Sequence, residues 1–117
     1  MAGERLLRLP DGVLRICIVC RRPRSGTTAE GFSYVSGEAS KLTSVAGTRS
    51  VRVFPVASAS MRWARQWDYL IEIDVGDGDD PCALLDSPQG RDVLGDLRLL
   101  GMTPTVAVLD TETAVAW

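Results

Sequence analysis

Residues 31–56 read "GFSYVSGEASKLTSVAGTRSVRVFPV". Phe32, Val35, Ala39 and Leu42 recur at the interval of a helix that buries one face. Gly47 stands where a glycine ends such a helix, and the run "SVRVFPV" is β-branched and apolar, as a strand is. The pattern predicts a helix from Thr28 to Val45 and a strand over 50–58. Pro55 marks an edge or a bulge, because proline has no N–H to give a ladder. Gly31 and Gly37 weaken the helix by about 1 kcal/mol each relative to alanine, so packing must hold it. Tyr34 and Glu38, four residues apart, share a face that flanks the apolar stripe. They are either a solvated helix edge or the polar end of a pocket.

Upstream, "VLRICIVC" at 13–20 reads as a strand, with Arg15 on the face shared by Cys17 and Val19. "RRPRSGTT" then turns the chain at Pro23 and Gly26. Downstream, "WDYLIEIDV" at 67–75 alternates. Trp67, Tyr69, Ile71, Ile73 and Val75 take one face, and Asp68, Leu70, Glu72 and Asp74 the other. "ASMRWARQ", before it, makes a turn or longer hairpin. Asp80 caps a helical region with Pro81 at its first position. That region breaks near Ser87–Pro88, and Leu94, Leu97 and Leu100 mark its buried stripe. "TPTVAVLD" at 103–110 is a fourth strand. The order is βαββαβ, the ferredoxin-like pattern, with two helices on one face of a four-stranded antiparallel sheet. The second face keeps apolar side chains, and another subunit is the simplest cover for them.

The chain has 117 residues, enough for one domain, whose core runs over about 12–110. It is 45% hydrophobic and 24% charged with a net charge of −2, which disfavours nucleic acid as a partner. There is no histidine, which removes the commonest general base and metal ligand. Cys17 and Cys20 fall on opposite faces of one strand, so they can neither chelate nor cross-link, and no metal site is expected. "GDGDD" lacks the spaced ligands and closing glutamate of a calcium loop. The opening "MAGERLLRLPDG" is too short and charged for a signal peptide. No run approaches the roughly 20 apolar residues of a membrane span. A cytoplasmic protein with reduced thiols and no membrane partner is the expectation.

These stretches resemble the dimeric α+β barrel superfamily, which includes stress-responsive barrel proteins, polyketide cyclases, EthD-like proteins and cofactor-independent quinone-forming monooxygenases. Tyr34, Glu38 and Gly47 match an aromatic residue, a histidine and a helix-closing glycine of many relatives. "QWDYLIEIDV" resembles their third strand, and "LLDSPQGRDVLGDLRLLGMTP" their second helix with its serine–proline step. The REDY-like branch of small biosynthetic proteins offers the nearest likeness. Two departures bear on mechanism: Glu38 replaces the histidine, and Gly90 stands where some cyclases carry a catalytic one.

Candidate chemistry therefore centres on Glu38 and Tyr34 as catalytic residues. A desolvated Glu38 has its pKa lifted toward neutrality and serves as acid or base; the plain alternative is a solvated glutamate beside Lys41. Tyr34 is a hydrogen-bond donor to substrate or a core aromatic with a wet hydroxyl. Arg15, costly to bury unpaired, either reaches Glu38 or faces a dimer lumen, and Arg52 follows the same logic nearer an edge. Trp63, Trp67 and Tyr69 pack the fold or wall a flat aromatic ligand. The resemblance implies a homodimeric, cofactor-independent cyclase acting on a reactive aromatic or indole-type intermediate by enclosure and proton transfer. The alternatives are a cofactor-free quinone-forming monooxygenase and a non-catalytic binding dimer.

Overall fold

The computed structural model describes residues 13–56, 67–76 and 80–109. Trp63, the 57–58 end of the expected second strand and the tail from 110 lie outside them. The elements are β1 (Val13–Cys20), α1 (Thr28–Ser40), a 3-10 turn (Lys41–Ser44), β2 (Thr48–Pro55) and β3 (Tyr69–Gly76). They continue with α2 (Pro81–Asp86), α3 (Pro88–Leu99) and β4 (Thr105–Leu109). The sheet order is β2-β3-β1-β4, with every neighbouring pair antiparallel. This is the expected ferredoxin-like arrangement, and β2 with its terminal Pro55 is indeed an edge.

Local chemistry sets the boundaries. Thr27 and Glu30 form a capping box: Thr27 Oγ1 accepts from the Glu30 N–H at 3.1 Å, and Glu30 Oε1 from the Thr27 N–H at 2.9 Å. The regular helix stops at Ser40, earlier than Val45, and tightens into the 3-10 turn. Ser40, Thr43 and Ser44 each donate a hydroxyl to the carbonyl three residues back, at 2.6, 2.7 and 3.0 Å. Such bonds compete with the helical ladder. Asp80 caps α2 through the Cys82 N–H at 2.9 Å. Ser87 ends α2 and starts α3, donating to the Leu84 carbonyl at 2.6 Å and accepting from the Gly90 N–H at 3.0 Å. The fourth strand begins at Thr105 rather than 103, since Thr103 has a left-handed φ of 43° and Pro104 has no N–H to pair.

The core lies between the helices and one face of the sheet. Ile16, Ile18 and Cys20 of β1 and Tyr69, Ile71, Ile73 and Val75 of β3 meet Val35, Ala39 and Leu42, with Val93 and Leu97 of α3. Each large aliphatic side chain buried there contributes about 1.5–3 kcal/mol. The α3 stripe runs through Gly90, Val93 and Leu97, with Leu94 packed at its margin. Leu100 is not in it: it is the cap residue beyond the last helical turn and is 39% exposed.

The second face of the sheet departs from expectation. Cys17, Val19 and Leu70 are at most 2% exposed within the single chain, and Arg15, Glu72 and Asp74 are buried beside them. All eight residues of β3 are buried, so the strand's alternation separates two buried faces, one of them carrying Glu72 and Asp74 beside Leu70, and not core from solvent. The argument that a bare apolar face requires a second subunit therefore does not hold for these central strands.

Cys17 and Cys20 are buried, whereas Cys82 is exposed. Burial pushes both buried thiols up to about 12. A thiol reagent is expected to modify one cysteine in the native protein and all three only after unfolding. The buried pair stays neutral in the fold but ionises near 9.0 when exposed, so unfolding is favoured progressively as pH rises from about 9 toward 12. Urea midpoints that hold constant from pH 8 to 10.5 would contradict this.

Candidate functional site

Of the two candidate positions on α1, Tyr34 lines a cleft, and Glu38 is not among that cleft's lining residues. Tyr34 is half-buried and lines a cleft of about 410 Å³, within the usual range of small-molecule sites. The loop after β1 supplies Pro23 and Arg24, α1 adds Glu30, and the end of α3 contributes Leu99 and Leu100. Gly31, also in the lining, lies against Tyr69: a Cβ there would collide with the tyrosine hydroxyl, so only glycine lets α1 settle this close to β3. Tyr69 is fully buried and donates its hydroxyl to the Thr28 carbonyl at 2.8 Å. Tyr69 thus anchors α1 to the sheet from beneath the cleft.

One turn beyond Tyr34, Glu38 is 8% exposed. Lys41 Nζ lies 3.0 Å from Glu38 Oε2 and 3.1 Å from Asp96 Oδ2, tying the end of α1 to α3. Burial pushes the Glu38 carboxyl above the usual range, and the Asp96 carboxyl adds to this against the pull of Lys41. Asp96 moves the opposite way, held low by hydrogen bonds from Glu38 and Lys41. Of the two carboxyls, Glu38 is the one whose proton affinity is raised and Asp96 the one whose affinity is lowered. Burial and the nearby Glu38 charge also push Tyr34 up.

Arg15 does not reach Glu38. It sits on the second sheet face, with Nε 2.8 Å from Asp74 Oδ1 and Nη1 3.7 Å from Glu72 Oε2. Arg52 joins the same network from β2, its Nη2 3.2 Å from Glu72 and 3.3 Å from Asp74. Alternation along β1 is the reason: Arg15 pairs across to Asp74, while the residues facing the helices are Ile16 and Ile18. The role of counter-charge to Glu38 falls to Lys41. Trp67 precedes β3, half-buried, with the Arg21 guanidinium 5.1 Å from its ring centre, a cation–π contact. It is not among the residues that line the cleft. Among the described residues, no cluster of three or more carboxylates and thiols is placed to hold a metal ion. No helix there is long and apolar enough to cross a membrane.

Asp96, Arg24 and Leu99 were not singled out from the sequence, and Leu100 was read there as part of a buried stripe. Asp96 follows Lys41 by 55 residues, and no local spacing signals that pairing. The apolar end "LRLLG" was legible as part of a helix, but which of its leucines stay outside the core was not.

No family model matches the chain, and no curated protein does. Solved structures do resemble it. A DABB-family protein with a ferredoxin-like fold from Mesorhizobium loti superposes with a TM-score of 0.62 at 12% identity, covering 86% of this chain and 97% of its own. SnoaB, a cofactor-independent oxygenase from Streptomyces nogalater, reaches 0.59 at 17% identity, covering 85% and 92%. The hydroxynitrile lyase of Passiflora edulis reaches 0.62 at 13% identity, covering 86% and 94%. Other neighbours are dimeric ferredoxin-like proteins of unknown function, one of them from Thermobifida fusca. At these identities the likenesses show the ferredoxin-like fold alone.

Proposed function

We propose that this protein is a cofactor-independent enzyme that cyclises a reactive aromatic or indole-type intermediate of natural-product biosynthesis by enclosure and proton transfer. The observation that carries the reading is Glu38: a nearly buried carboxyl with a raised pKa, one helical turn from a tyrosine that lines a cleft of ligand size. A carboxyl with raised proton affinity is a stronger base than an ordinary glutamate and is suited to move a proton. Tyr34 donates a hydrogen bond to a substrate oxygen or nitrogen, and the cleft holds the reacting ends together. Lys41 and Asp96 fix the Glu38 side chain and set its proton affinity. The REDY-like branch is part of this proposal and supplies its pathway context.

The fold likeness to a cofactor-independent oxygenase supports a second reading, a quinone-forming monooxygenase. An oxygen electrode separates the two. Conversion of a candidate intermediate to an isomer or a dehydrated ring without dioxygen uptake is the expected result. Stoichiometric uptake moves the assignment to the monooxygenase, and saturable binding without turnover moves it to a carrier.

A homodimer belongs to the same proposal, supported by the dimeric ferredoxin-like neighbours. Light scattering at micromolar concentration is expected to give twice the mass of the 12.7 kDa chain. Monomer alone would remove the dimer.

A further inference from the structure

We infer that the cleft selects an anionic amphiphile, a small carboxylic acid on an aromatic or aliphatic body, and that Arg24 binds its carboxylate. This rests on the reading of the cleft as the ligand site and names the chemical class it takes.

Three observations converge. First, the wall at the end of α3 is apolar and uncovered: Leu99 is 83% exposed and Leu100 39%. Second, Arg24 lines the same cleft, and among the described residues no carboxylate lies in ion-pair range of it. The neighbouring Arg22, in contrast, lies against Asp68, which also accepts the Arg22 N–H at 2.8 Å. Third, the exposed Arg24 side chain lies against the chain at the end of α3. Its stem lies across Gly101, where a Cβ would come within 2.6 Å of Nε and 3.1 Å of Cγ. Gly101 has a φ of +73°, so the glycine both turns the chain out of α3 and makes room for the arginine. An arginine laid down in this way presents a planar fork suited to a carboxylate.

The other charge in the wall is Glu30, and its Oε1 is taken by the Thr27 N–H. Its negative charge disfavours a ligand carboxylate beside it, which leaves Arg24 as the partner for the anion and Leu99 and Leu100 for the apolar body. Tyr34 lines the same cleft.

The test is a titration with 2-naphthoate and its neutral amide, 2-naphthamide, at low ionic strength. The acid is expected to bind roughly 10-fold more tightly than the amide, with the gap narrowing as salt is added. Arg24→Gln is expected to remove the preference while leaving amide binding unchanged, and Arg24→Lys to restore only part of it. Gly101→Ala, which keeps the charge but displaces the stem, is expected to reduce the preference as well. Equal affinity for acid and amide, no binding of either at millimolar concentration, or an unaltered preference in Arg24→Gln would overturn the inference. The proton-transfer reading stands apart: it fails if Glu38→Gln keeps full turnover, whatever naphthoate does.

Discussion

Replacing Glu38 with glutamine is expected to leave the fold intact and lower turnover by roughly 10²-fold or more. Glutamine keeps the shape and can still accept from Lys41 Nζ, now 3.1 Å from Glu38 Oε1, but it can neither take up nor release a proton. Folding should survive because burial penalises the charged carboxylate, a penalty the neutral amide does not carry. The pH profile gives a second readout. The charged and titratable groups that influence Glu38 are Lys41 and Asp96, and Tyr34 lies within its field. If Glu38 acts as the base, the rate rises with pH through a value above the ordinary glutamate range, and that limb is absent in the glutamine variant. Tyr34→Phe removes one hydrogen bond of about 1 kcal/mol, so its effect is smaller, roughly five-fold. Near-wild-type turnover in Glu38→Gln would return Tyr34 and Glu38 to a solvated helix edge.

The largest loss of stability is expected at Arg15. Its side chain is 9% exposed and holds Asp74 at 2.8 Å, with Glu72 at 3.7 Å. Arg15→Met preserves much of the volume but leaves two nearly buried carboxylates to Arg52, whose side chain is 45% exposed. Breaking a buried pair from one side costs about 3–5 kcal/mol, or a fall in Tm of roughly 10–20 °C for a chain of this size. Adding Asp74→Leu to Arg15→Met should recover part of the loss, because it removes one of the stranded charges. Acid unfolding carries the same signature. Burial alone would raise Asp74, but hydrogen bonds and charge from Arg15, with Arg52 and Ser50, outweigh it and hold the carboxyl below its ordinary 3.8. That stabilisation is full above the ordinary value and is lost as pH falls through the lower, folded one. A loss under 1 kcal/mol in Arg15→Met would show that the network is not what secures this face.

What the sequence by itself determined is local. The stripe of Val35, Ala39 and Leu42 named the buried face of α1, and Asp80–Pro81 and Ser87–Pro88 set where α2 and α3 begin. The alternation of β3 separated Tyr69, Ile71, Ile73 and Val75 from Leu70, Glu72 and Asp74. Each of these follows from backbone geometry within a few residues, so composition and spacing were sufficient.

The tertiary structure decided which distant side chains meet. Arg15 was legible as a costly charge in an apolar strand, but its partner was not: Asp74 lies 59 residues on, and β1–β3 register brings the two together. Glu38 and Tyr34 were legible as neighbours on one helix face, whereas the raised proton affinity of Glu38 comes from its burial in the fold and, after that, from Asp96 arriving from α3. Arg24, Leu99 and Gly101 come together only when the loop after β1 is laid beside the end of α3. Desolvation and charge coupling act through space at a few ångströms, and sequence separation carries no information at that range until the chain has folded.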